Sequence, residues 1–322
     1  MKNTARIAAE TAGSQGFPQA RRISRAGRVS QIRQLAGERK LQLAGKLSQT
    51  GRATQFPHAA AIVLALILLG CLFCELIMTK DPAYLDIANC NVAPCREFIF
   101  GTDSLGRDIF SCIWQGGRVS IFIGFAATAI STLVAVIYGG IAGVAPKWLD
   151  TLMMRFTDII LSVPELLIII FVQAIIGEAS VLSVSVVIGL TSWAGISKIV
   201  RTEVRQIRNS EYVLLSKCMG GGFFYTLRRH LAPNFVSAIM FMVVMNVRGA
   251  IAAESTLSFM GIGLPIETIS WGSMLSLADK AFLTGAWWII VIPGVFLVVL
   301  LLCITELGNY LRRSVNRKES NL

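Results

Sequence analysis

Glu211-Tyr-Val-Leu-Leu-Ser-Lys-Cys-Met-Gly220, continuing Gly221-Gly-Phe-Phe-Tyr-Thr-Leu-Arg-Arg-His230-Leu-Ala-Pro233-Asn234, lies between two apolar runs. It is too polar to cross a bilayer and too long for a simple turn, so the runs beside it are separate spans joined at one membrane face. Val213, Leu214, Lys217 and Cys218 recur at helical offsets, and the triplet Gly220, Gly221, Gly222 stops that period. Glycine tolerates positive φ, so the chain can reverse there and present the end of a short helix as a knob. Two readings stand at this point: a knob that enters a partner's groove, and an amphipathic helix resting on the membrane surface.

Apolar runs near the roughly 20 residues of a bilayer-spanning helix occur at about 58–79, 119–144, 156–176, 180–197, 235–259 and 285–306. Of 322 residues, 54% are hydrophobic and 15% charged, against roughly 25% charged in a soluble domain. The mean hydropathy is +0.64. The expectation is an all-α membrane protein with six transmembrane helices, which puts both termini on one side.

Lys and Arg decide which side. Twenty-three lie with the quoted loop and the tails, and five (Lys80, Arg96, Arg107, Arg118, Lys280) lie opposite. Without the N-terminal tail the balance is still 12 to five, so the positive-inside rule places loop and termini in the cytoplasm of a multi-pass cell-membrane protein. All six tryptophans fall near span ends or in adjoining loops, where an amphipathic indole is at home. The resulting division is a basic cytoplasmic tail 1–57, a first span 58–80, an extracytoplasmic loop 81–118, a five-helix core 119–306 containing the loop 198–233, and a cytoplasmic tail 307–322. The first tail has no apolar h-region of a signal peptide and too few large apolar residues to bury a core. It is a solvated tail that fixes orientation or a segment drawn to anionic membrane lipid.

The formal net charge of +11 does not imply nucleic acid, because the basic residues are spread through loops and tails rather than gathered on one surface. There is no G-x-x-x-x-G-K-[ST] loop, so the chain is not the ATPase of its system. With no H-E-x-x-H and only His58 and His230, neither a metal site nor general-base chemistry is expected, and the chain is not read as an enzyme. Cys90 and Cys95 share the outer loop and leave a small disulfide open.

Charges within spans call for partners. Arg155 and Asp158 have i, i+3 spacing, read as a helical pair at the inner interface. Arg248 lies 14 residues beyond Asn234, about 21 Å along a helix, and faces either the transport path or another span. Glu254 is six residues further, about 240° around the helix, so the two cannot pair. Both are translocation-path candidates.

The quoted loop resembles the cytoplasmic signature of ABC-importer permeases, in the branch that carries peptides or nickel. That branch's Glu-Tyr-Val, then Gly, then Arg-His-x-x-Pro-Asn is met by Glu211, Tyr212, Val213, Gly220, Arg229, His230, Pro233 and Asn234. Leu214, Leu215 and Ser216 depart from the usual Glu-Ala-Ala, which points to a dedicated ATPase. Further landmarks follow in order: Gly101-Thr-Asp-Ser-Leu-Gly-Arg-Asp108, Asp150 to Asp158 with Pro164, Trp193, Arg201, Glu254-Ser-Thr-Leu-Ser-Phe-Met-Gly261, Ser270-Trp-Gly272 and Pro293-Gly294. The resemblance runs from about Ala59 to Arg313.

It implies the type I importer permease fold, with Glu211 to Gly220 as a coupling helix seated in a cleft of the ATPase. It further implies a homologous permease subunit, two cytoplasmic ATPase subunits that bind ATP and magnesium, and an extracytoplasmic solute-binding protein; this chain holds no cofactor. Arg201, Arg205, Arg208, Arg228 and Arg229 flank the loop and pair with the ATPase or lipid phosphates, or are ordinary positive-inside charge. The main rival is a secondary transporter, whose inverted repeats and ion sites in discontinuous helices are not evident. A membrane enzyme or scaffold is the other, and no convergent catalytic set supports it.

Overall fold

Asp108 caps the longest helix by accepting the Ser111 backbone N–H at 3.0 Å. In the computed structural model, which describes residues 56–208, 210 and 232–319, this helix is α3. The order is α1 (His58–Leu72), α2 (Cys74–Ile77), α3 (Ile109–Val144), α4 (Lys147–Ser162), α5 (Glu165–Ile176), α6 (Val181–Thr191) and α7 (Trp193–Arg208), then α8 (Ala232–Phe259), α9 (Trp271–Leu275), α10 (Ala278–Thr284) and α11 (Trp288–Glu319).

Among the described residues, Ile109–Val144, Ile239–Phe259 and Trp288–Ser314 are each long and apolar enough to cross a membrane. The number rises to five if α4–α5 and α6–α7 each form one bent span, while α1 is a shorter apolar helix. The expected spans are therefore corrected at several edges. Ten residues of the expected outer loop belong to α3, which starts at Ile109 rather than 119. The expected tail after 306 is helical as far as Glu319. The expected span 156–176 is two helices at 87°, broken at Val163 and Pro164, because proline lacks an N–H and disfavours helical backbone in the residue before it. The fourth run continues to Arg208 but bends 45° at Ser192.

α3 passes through three buried clusters and joins the other helices. One holds Ile67 of α1, Ile113 of α3, Ile251 of α8, Trp271 of α9 and Leu300 of α11. The second joins Ile123 and Ala127 to Ile169 of α5, Val184 and Ile188 of α6 and Leu257 of α8. The third joins Ala135 to Trp193, Ile196 and Val200 of α7 and Ile239 of α8. Lipid is as apolar as leucine, so burial between spans supplies little drive, and close van der Waals approach at small residues takes its place.

Gly139 and Gly143, four apart on α3, face Val200 and Val204, four apart on α7. A Cβ on Gly139 would sit 2.4 Å from the Ser197 carbonyl oxygen, whereas Gly140 has nothing within 4 Å of its added Cβ. Gly139→Val should therefore separate α3 from α7 and destabilise the protein by about 2 kcal/mol, while Gly140→Val should cost no more than a few tenths. Thermal unfolding of the purified protein in nanodiscs compares the two, and equal midpoints would refute the close packing.

Candidate functional site

The expected docking residues Glu211, Tyr212, Val213, Leu214, Leu215, Ser216, Gly220, Arg229 and His230 lie outside the described residues. Pro233 is the second residue of α8, a position where the missing N–H forfeits no helical bond. What the structure describes is the base of the loop, where α7 delivers the chain to it.

That base is held by charge. Asp150, buried near the start of α4, accepts a two-toothed contact from Nε and Nη2 of Arg201 and a third bond, at 2.8 Å, from Nη2 of Arg205. A guanidinium fork matches the two carboxylate oxygens, which fixes orientation as well as adding energy. One turn on, Arg208 donates to the Val144 carbonyl at the end of α3 at 3.0 Å. Lys198 reaches Asp158 at 2.5 Å. Residues 198, 201, 205 and 208 thus form one face of α7, set against α4 and the end of α3.

Two readings of the sequence change here. Arg201, Arg205 and Arg208 each have a partner within the chain that the sequence did not name, and Arg208 remains exposed as well. Asp158 pairs across helices with Lys198, not with Arg155 along its own.

On α8, Arg248 is half-buried with Nη1 3.5 Å from Oγ1 of Thr305 on α11, a long contact. Glu254 is fully buried. Its carboxylate accepts from Ser120 of α3 at 3.0 Å, Ser258 at 3.0 Å and Ser255 at 3.3 Å. Ser120 in turn accepts the Trp271 N–H, and Ser258 accepts the Leu264 N–H, each at 3.2 Å. With their acceptor role filled by backbone, these hydroxyls give their single protons to the carboxylate. The ring ties α3, α8 and the start of α9 together. Arg248 and Glu254 have separate partners, as their angular separation requires.

Sequence reasoning named the landmark Gly101 to Asp108 but missed what it builds. Asp103 and Arg107 form a buried pair at 2.7 Å, both side chains 4% exposed. Arg107 Nη1 also donates to the Ile266 carbonyl at 3.2 Å, and Trp288 Nε1 donates to the Thr102 carbonyl at 3.1 Å. Asp108 and Ser111 gather Thr79 and Lys80 by four further contacts of 3.1–3.5 Å. The segment before α3, expected to be an outer loop, is thus a folded cap bolted to the loop after α8 and to the start of α11. Its signal in the sequence was Asx-turn chemistry, since Asp103 Oδ1 accepts the Leu105 and Arg107 N–H groups at 2.8 and 2.9 Å. Cys90 and Cys95 are free thiols, so the disulfide left open by the sequence is absent. Cys71 and Cys74, a C-x-x-C spacing that the sequence reading passed over, are also free and both buried.

Residues 135–317 match the family described as the binding-protein-dependent transport system inner membrane component. The chain belongs to that family. It is similar to the dipeptide transport system permease protein DppC of Bacillus subtilis, with 38% identity over 71% of each chain. It is likewise similar to the oligopeptide transport system permease protein OppC of the same organism, with 33% identity over 83% of this chain and 87% of the relative. A solved chain of the MetNI methionine ABC transporter, in an inward-facing conformation, shares the fold at a TM-score of 0.51. It has 15% identity and covers 63% of this chain and 96% of that one. As a member of the binding-protein-dependent inner membrane components, the chain is a multi-pass, non-catalytic permease of an ATP-driven importer that works with ATPase and solute-binding partners. The expected permease class is met. Of its two substrate branches, these relatives carry peptide and give nickel no support.

Proposed function

We propose that this chain carries peptides, pairing with a homologous permease so that a path forms between the two, above two ATPase subunits and below a peptide-binding protein. Six spans are assigned: α1 with α2, α3, α4–α5, α6–α7, α8 and α11. Both termini are cytoplasmic, and the basic segment 1–57 lies on that side. Glu211 to Gly220 is the coupling helix, Arg229, His230 and Pro233 complete its return, and Arg248 is the charged candidate for the path. Glu254, the other path candidate, is fully buried, which favours a role in holding helices together. The observation that carries this reading is the basic face of α7, locked to α4 at the point where the chain enters the loop that matches the family's coupling signature.

The test is reconstitution of the full complex in liposomes, measuring ATP hydrolysis and uptake against a panel of dipeptides, oligopeptides and nickel. Peptide-loaded binding protein should stimulate both. Stimulation by nickel and not by peptide would overturn the substrate class, and uptake without the ATPase subunits would overturn the permease reading. In the same system Gly220→Pro should insert normally, retain hydrolysis and lose uptake, because proline cannot adopt the positive φ that a tight reversal needs. Full uptake in that variant would contradict the docking assignment.

A further inference from the structure

The two bent helix pairs break beside one another. Ser192, the residue at the bend between α6 and α7, donates its hydroxyl to Oε1 of Glu165 at 2.5 Å. Glu165 is the first residue of α5, immediately after Pro164 at the other bend. The breaks are thus one hydrogen bond apart, although 27 residues separate them in sequence.

On the loop side of the breaks, α4 and α7 are fastened by Asp150 to Arg201 and Arg205, and by Asp158 to Lys198. On the far side, α5 and α6 share an apolar cluster through Ile169, Val184 and Ile188. Ionic fastening is thus found on the loop side, beside the apolar cluster of α7, and the far side is held by apolar packing. α3 runs unbroken past both, with Gly139 and Gly143 under α7 and Ile130 against Gly189 of α6. At these small residues the backbones approach closely, so α3 holds α6 and α7 on one continuous rod.

We propose that Asp150 is the positioning residue that makes α4 move with α7 where α7 leads toward the loop, and that the pair shifts against α5 and α6 at the Glu165–Ser192 contact. The inference rests on the loop being the ATPase contact. A push on the loop arrives at the end of α7. With the Arg201 fork in place, α4 must follow, and its displacement reaches α5 across the Pro164 bend. Without Asp150, Arg201 and Arg205 face each other one turn apart as like charges, only the more exposed Asp158–Lys198 pair still ties α4 to α7 by charge, and part of the push is lost in bending α7. Coupling free energies between sites commonly correspond to changes of roughly 5- to 150-fold, so one salt-bridged carboxylate suffices to carry the link.

The experiment uses the reconstituted complex and reads the ratio of peptide uptake to ATP hydrolysed, per assembled complex. Asp150→Ala should lower that ratio about tenfold with hydrolysis retained, and Asp150→Glu, which restores the carboxylate, should recover most of it. Ser192→Ala, which touches only the hinge, should lower the same ratio about threefold. Uptake and hydrolysis falling in equal proportion would mean a purely structural role, and an unchanged ratio would mean that α4 does not transmit; either result overturns the proposal. If Asp150→Ala fails to assemble, Ser192→Ala and Asp150→Glu decide alone: a normal ratio in the hinge variant refutes the inference. Absence of ATP-driven uptake in the wild-type complex would instead strike the permease reading beneath it.

Discussion

Arg107→Met is expected to destabilise the protein by about 3–5 kcal/mol, the typical result of removing one partner of a buried ion pair. Both side chains of the Asp103–Arg107 pair are 4% exposed, so water cannot solvate the carboxylate left behind. The substitution also frees the Ile266 carbonyl that Arg107 Nη1 holds at 3.2 Å, detaching the outer cap from the loop after α8. Methionine keeps the bulk of the side chain, so the loss reports charge and hydrogen bonding rather than a cavity. Thermal unfolding of purified protein in nanodiscs gives the change. The double variant Asp103→Leu, Arg107→Met should recover a large part of it, because an apolar pair leaves no buried charge. A single variant as stable as wild type would show that the pair contributes nothing.

Gly106→Ala should be comparably severe, at about 3 kcal/mol or more. Gly106 has φ of +77°, and an added Cβ would lie 1.8 Å from the Asp86 carbonyl oxygen. The obstacle is backbone, which cannot rotate aside as a flexible side chain can. Gly285 has φ of +70° in the left-handed region with nothing within 4 Å of an added Cβ, so Gly285→Ala shows the left-handed strain alone, about 1–2 kcal/mol. Similar losses in the two variants would refute the clash. The defect in Gly106→Ala should also appear as weaker stimulation of hydrolysis by the binding protein, since the cap lies on the proposed docking side.

Apolar run length made α3, α8 and α11 legible in the sequence, because the requirement of a bilayer is crude and local. Their ends were less so: α3 extends back to Ile109 through Ser111, Gln115 and Arg118, polar residues that hydropathy assigned to a loop. Pro164 was visible but did not announce that the chain turns by 87°, since a proline inside an apolar run kinks or ends a helix according to what packs beside it. Ser192 carried no signal at all. The Arg248–Glu254 separation followed from helix geometry alone and agrees with their different partners.

The brace was the hidden part. Asp150 and Arg201 are 51 residues apart, and a lone acid among basic residues has the same appearance in a solvated loop. The Glu254 ring was equally hidden, because serine is common and only the fold brings Ser120 to it across 134 residues. Motif order located the loop and the family; it did not locate the contacts that make the loop's displacement useful.

The cap has a consequence for how the chain is made. Thr102 and Arg107 emerge from the ribosome early, yet Ile266 is 159 residues after Arg107 and Trp288 is 186 after Thr102. These two fastenings therefore cannot form until the last part of the chain has been made. A chain that ends before Trp288 cannot make the Thr102 contact, and that side of the cap is left without its indole latch.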